Sequence, residues 1–130
     1  MPLYVDEREL PLLHLKYVGA YSDEELYALL RQVEGVLARP GKKVGIVDLT
    51  LADAGTAKQR RVHAEWIGAH KRELAREFAA AAIVTDSALI RGTVTAVFWI
   101  APLPLPTHVA ATVERAQEWL LPYLESIRKA

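Results

Sequence analysis

Few residues of this chain could do chemistry, and most of those have an ordinary occupation. The 130 residues include no cysteine, which removes thiol nucleophiles, disulfides and zinc–thiolate sites. The serines are Ser22, Ser87 and Ser126; none sits in a G-x-S-x-G elbow or at motif spacing from a histidine. His63 and His70 fall seven apart on a helical pattern. That places them on one face but about 10.5 Å apart along the axis, too far for one metal ion whose ligand bonds are about 2 Å long. His14 and His108 lie in strand-like runs without an acidic partner at ligand spacing. Neither a Walker loop nor a G-x-G-x-x-G occurs. No catalytic residue, metal or cofactor is expected.

Two stretches stand apart. The first is V-D-L-T-L-A-D-A-G-T-A-K-Q-R-R, residues 47–61. It reads as a buried strand ending near Asp48, a loop carrying Asp53, Ala54, Gly55 and Thr56, and the start of a helix. Beyond the carboxyl ends of an open α/β sheet is where ligands and partners bind. Thr56 and Gln59 have the spacing of a capping box. Lys58, Arg60 and Arg61 then crowd the first turns, where cations oppose the helix dipole by about 0.3–1 kcal/mol each. An anion or acidic partner docked there would turn that penalty into attraction; otherwise the three are solvated charges, partly offset by Asp53.

The second stretch is F-W-I-A-P-L-P-L-P-T, residues 98–107. Pro102, Pro104 and Pro106 impose an extended path, and Phe98, Trp99, Leu103 and Leu105 cannot all be buried by it. Either they form an exposed apolar patch for a partner, a lipid or a second copy, or the leucines fold back over the core. In a homodimer, Trp99 and Leu103 would lie at or beside the centre of the interface.

The elements that must position these residues follow from periodicity. Residues 10–18 read as a strand with Pro11 at its entrance, and residues 4–7 as a short edge strand beside it. Ser22 and Glu25 form a capping box, with Tyr21 and Leu26 as its hydrophobic staple. A helix over 23–38 follows, apolar at Leu26, Leu29, Leu30, Val33 and Leu37, and Pro40-Gly41 ends it. Residues 44–49 read as a strand buried on both faces, residues 57–78 as one long helix, and residues 80–85 as a second buried strand. Residues 89–101 are rich in β-formers. They must nonetheless cross between parallel strands, so a helix is expected, with Gly92 and Ala96 lying close on the sheet. A short strand at 109–111 leads to a last helix from Val113, capped by Thr112. Pro122 should kink or break that helix. The pattern predicts one α/β domain over 1–130, with a mixed four- to five-stranded sheet and four helices.

Composition narrows the class further. Sixteen Lys+Arg balance sixteen Asp+Glu, so no global field draws the chain to nucleic acid or an anionic membrane. The 52% hydrophobic content supports a core, and no run is long enough for a transmembrane span. A charged N-terminus without a signal-peptide apolar stretch fits a cytoplasmic protein.

With these residues in view, the V-D-L-T…D-A-G unit resembles the STAS fold of sulphate transporters and anti-sigma-factor antagonists. The stretch I-R-G-T-V-T-A-V-F-W-I-A-P-L-P-L-P-T-H-V-A-A-T-V-E-R-A-Q-E-W-L is similar to its SpoIIAA-like branch, the likeness running from Leu10 to Leu121. The resemblance implies a non-enzymatic regulatory domain that binds a protein partner, here through Asp48, Asp53, Gly55, Thr56, Lys58, Arg60 and Arg61. Typical antagonists carry a phosphorylated serine where this chain has Ala54, so the resemblance does not extend to that switch. It also implies an alternative, since this branch is similar to lipid-binding CRAL-TRIO (Sec14-like) domains: a carrier or sensor of a small apolar ligand held by the 98–105 region. A solid core would favour the partner, a cavity the ligand.

Overall fold

The computed structural model describes residues 2–129. Strands β1 (Leu3–Asp6) and β2 (Leu12–Gly19) form an antiparallel pair at one edge, and the Leu10–Pro11 peptide leading into β2 is cis. Strands β3 (Lys43–Ala52), β4 (Phe78–Val84) and β5 (Thr107–Ala110) continue the sheet in parallel, in spatial order β1-β2-β3-β4-β5. The sheet is therefore mixed and five-stranded.

Five helices cover it, where periodicity predicts four. Helix α1 (Asp23–Leu37) starts at the Ser22–Glu25 capping box, with both reciprocal hydrogen bonds made. The predicted helix over 57–78 is broken into α2 (Ala57–Ala69) and α3 (Lys71–Glu77). The break falls at His70, whose backbone leaves the helical region at φ −109°, ψ 19°. Its Nδ1 donates to the Trp66 carbonyl at 2.9 Å, and its ring stacks on the Trp66 indole at 4.4 Å. Phe78, the last residue of that predicted helix, instead begins β4 and is buried in one cluster with Leu74 of α3.

Residues 88–100 do form a helix, α4 (Ala88–Ile100), with Ser87 as N-cap. Its inner face differs from the expected one. Ile90 and Val97 are buried, whereas Gly92 and Ala96 face solvent. Bulky residues reach inward because α4 packs on α2 and stands off from the sheet. Helix α5 (Val113–Lys129) is capped by Thr112 and runs unbroken through Pro122. Pro122 and Glu118 are both exposed, so water can satisfy the carbonyl that the proline leaves without a donor.

The layers are unequal. Helix α5 alone covers one face, seating Ala116, Leu120 and Leu124 on Val44, Ile46, Ala80 and Ala82. Helices α1–α4 cover the other, in two adjoining clusters. Where they meet the sheet, Gly45 leaves room for the Phe78 ring: a Cβ there would lie 3.3 Å from it. Lys43, 3% exposed, is pinned by the Arg39 and Gly41 carbonyls at 2.7 Å each and by Glu77 at 3.1 Å. That clamp ties the end of α1 to the end of α3. Among the described residues no helix is long and apolar enough to cross a membrane.

Candidate functional site

The structure sets Asp48 apart from the rest of the first expected site, whose other residues stay together at the start of α2. β3 extends to Ala52, so Asp48 lies inside the strand and not at its end. Its carboxylate accepts from the Thr50 amide and hydroxyl at 3.0 and 2.6 Å. It neighbours His14 and Lys16 beside Val113, on the α5 face, away from α2. The cations at the α2 start are mostly engaged within the protein. Lys58 pairs with Asp23 at 2.9 Å, which draws the Asp23 carboxyl below its ordinary range. Arg60 Nη1 donates to the Gly55 carbonyl at 3.0 Å and more weakly to Ala54 at 3.4 Å. Arg61 is exposed.

The capping box is present as read: Gln59 N donates to Thr56 Oγ1 at 3.0 Å, and Thr56 N to Gln59 Oε1 at 3.1 Å. Gln59 also does what no spacing shows. Its Nε2 donates to the Tyr21 carbonyl at 2.8 Å and to Asp23 at 3.2 Å, joining the starts of α1 and α2.

The expected apolar patch divides as well. Trp99 is 85% exposed, but Phe98, Leu103 and Leu105 pack against the core. Of the four, Trp99 alone is largely exposed, and Leu103 keeps only part of its surface open to solvent. The outward stripe of α4 is Leu89, Trp99 and Ile100, at 70, 85 and 75% exposure.

What the inward residues surround is a cavity of about 210 Å³ between the sheet and the helices. The sheet supplies its floor through Leu13, Leu15, Val47, Ala81 and Ile83. Its walls come from Leu30 and Val33 of α1, Ile67 of α2, and Val94 and Val97 of α4. The proline-spaced Leu103 and Leu105 close one side. Polar residues gather where Asp53, Ala54, Arg60 and Tyr21 also line it, and there exposed Asp53 brings it to the surface.

A buried pair sits in the same wall. Tyr17 and His63 are linked at 3.0 Å, and His63 Nδ1 lies 2.8 Å from the Gln59 carbonyl. A carbonyl only accepts, so Nδ1 carries the proton and the Tyr17 hydroxyl donates to Nε2. Burial pushes the His63 pKa down and the Tyr17 phenol up. A neutral, doubly tied imidazole and a phenol held protonated form a fixed polar seam. Tyr17 and Tyr21 stack edge to face at 5.6 Å, continuing the seam to the polar end. The sequence shows these residues only as a strand tyrosine and a helix histidine 46 apart, and nothing in their spacing joins them. Among the described residues, no three His, Asp or Glu are grouped to hold a metal ion.

A parallel sheet continued from an antiparallel edge pair, with one helix behind and four in front, is the STAS type of α/β domain. The SpoIIAA-like family model matches residues 12–121, and the chain belongs to that family. Among solved structures, the chain is similar to an uncharacterized protein of the DUF3478 family with a SpoIIAA-like fold from Shewanella loihica PV-4. The two share 19% identity over 91% of each chain, with a TM-score of 0.67; that likeness supports the fold. Comparison with curated proteins gives no match.

Proposed function

We propose that this domain is a non-enzymatic regulatory module that carries or senses a small apolar ligand in the cavity under α4. The cavity is the observation that supports this reading. The cavity opens to solvent at its polar end, so water can enter it, and its walls are apolar side chains of Leu, Val and Ile. A bound apolar molecule would remove that surface from water, which is favourable in proportion to the area covered. A chain this rich in Leu, Val and Ala could fill the gap with a few larger side chains, yet leaves it open. The volume lies between the roughly 150 Å³ cavity that takes up benzene or xenon and the roughly 300–1,000 Å³ of drug-sized sites. A short hydrocarbon chain fits that range.

Titration calorimetry with 1-octanol tests the reading. One-to-one, saturable binding with a negative heat-capacity change is expected. Val94→Phe, which fills the cavity from α4, should abolish it while leaving cooperative unfolding intact. Absence of binding to the wild type, or equal binding to Val94→Phe, would sink the reading.

Partner binding at the 53–61 edge is a second reading. It is supported by family membership and by exposed Arg61, which has no ion pair among the described residues. An acidic peptide that shifts the 55–61 amides in an NMR titration would favour it.

A further inference from the structure

The polar end of the cavity specifies a head group, an inference that rests on the cavity being a ligand site. Most polar side chains along the wall are already satisfied. Tyr17 donates to His63 at 3.0 Å, and His63 to the Gln59 carbonyl at 2.8 Å. Trp66 Nε1 donates to Glu34 at 2.9 Å, and the Thr93 hydroxyl to the Leu89 carbonyl at 3.1 Å.

Two donors remain. The Tyr21 hydroxyl has no hydrogen-bond partner among the described residues. Among the described residues, half-buried Arg60 has no carboxylate within 4 Å, and only its Nη1 is engaged, by the two loop carbonyls, which leaves Nε and Nη2 without partners there. Both residues flank Gly55. Arg60 is anchored on the Gly55 carbonyl, and the Tyr21 hydroxyl lies 3.2 Å from the point a Cβ on Gly55 would occupy. That Cβ would also come within 3.1 Å of Gln59 Oε1, and the Gly55 φ of +74° is a conformation natural to glycine. Glycine therefore keeps the corner open between the two donors.

A guanidinium without a counter-ion, a free phenol beside it and a hydrocarbon-lined cavity behind them are complementary to one kind of molecule. We propose that the ligand is a small aliphatic monocarboxylic acid. Its carboxylate lies between Arg60 and Tyr21, and its chain runs along the cavity toward Leu103 and Leu105. Arg donors match carboxylate oxygens two at a time. A neutral alcohol would leave the half-buried charge uncompensated. A phosphate dianion would face exposed Asp53 at the same opening with a single cation to hold it. The Asp53 carboxylate opposes even the monoanion, which sets the sign of one variant below.

Calorimetry at pH 7.5 with sodium octanoate and 1-octanol as paired probes tests the proposal. Octanoate should bind the wild type at least tenfold more tightly than 1-octanol. Arg60→Gln and Tyr21→Phe should each weaken octanoate severalfold or more and leave 1-octanol unchanged, and Asp53→Asn should tighten octanoate. Tyr21→Phe loses no hydrogen bond within the protein, so it reports on the site even if Arg60→Gln folds poorly. Equal affinities for acid and alcohol, or octanoate binding indifferent to Tyr21→Phe and Asp53→Asn, would overturn the carboxylate while the cavity stands. If neither probe binds, the cavity reading falls and this inference with it.

Discussion

His63 shows how one side chain can carry both position and a pH response. Its imidazole is held neutral between Tyr17 and the Gln59 carbonyl, and burial depresses its pKa below the ordinary 6.5. In the unfolded chain it regains about that ordinary value. Below about pH 6.5 the unfolded state therefore binds more protons, so stability rises with pH and the contribution is complete above that value. Urea unfolding between pH 5 and 7.5 should show the loss on acidification, and His63→Gln should flatten that part of the profile. A profile equally steep in His63→Gln would show that His63 does not carry it. At this scale the sequence disclosed local partners and concealed distant ones. Ser22–Glu25 and Thr56–Gln59 are legible because both members lie three residues apart on one turn. Lys43 with Glu77, and Tyr17 with His63, depend on which strands become neighbours.

Among the elements, topology overrode propensity in α4. Its run of Val, Thr and Ile reads as a strand residue by residue, but a parallel β4–β5 pair needs a crossover on the sheet face. Gly92 and Ala96 suggest close packing on the sheet, whereas α4 stands away from it with a cavity beneath. The division at His70 is hidden in the sequence because apolar residues at Val62, Trp66 and Leu74 continue across it at helical spacing. Gln59 shows what couples elements. Buried to 4% exposure, it caps α2 and reaches Tyr21 and Asp23 at the start of α1. Gln59→Ala removes these bonds and leaves the part-buried Tyr21 carbonyl without its donor, so a loss of about 1–3 kcal/mol is expected in denaturant unfolding. Gln59→Glu keeps the acceptor for Thr56 N but sets a buried carboxylate oxygen against the Tyr21 carbonyl and the Asp23 carboxylate, so it should destabilise at least as much as Gln59→Ala. A change under about 0.5 kcal/mol in Gln59→Ala would show that α1 and α2 are positioned without it.

For the whole molecule, the mixed sheet, the order of strands and most helices could be read from alternation of pattern and caps. The cavity could not, because it arises from four helices and a proline-spaced segment converging on one sheet face. The sequence presented Phe98, Trp99, Leu103 and Leu105 as one patch; folding turned three inward and left Trp99 outside. That division separates an interior able to hold a ligand from an exterior stripe on α4, and it suggests the measurement that tells them apart. Amide chemical-shift mapping of the uniformly 15N-labelled protein with 1-octanol tests the central claim most directly. Shifts should appear together on the sheet floor at Leu15 and Val47, on Val94, and on Leu103 and Leu105, saturating at one equivalent, while Ala116 and Leu120 of α5 stay still. No saturable shifts, or shifts confined to Leu89, Trp99 and Ile100, would contradict the account.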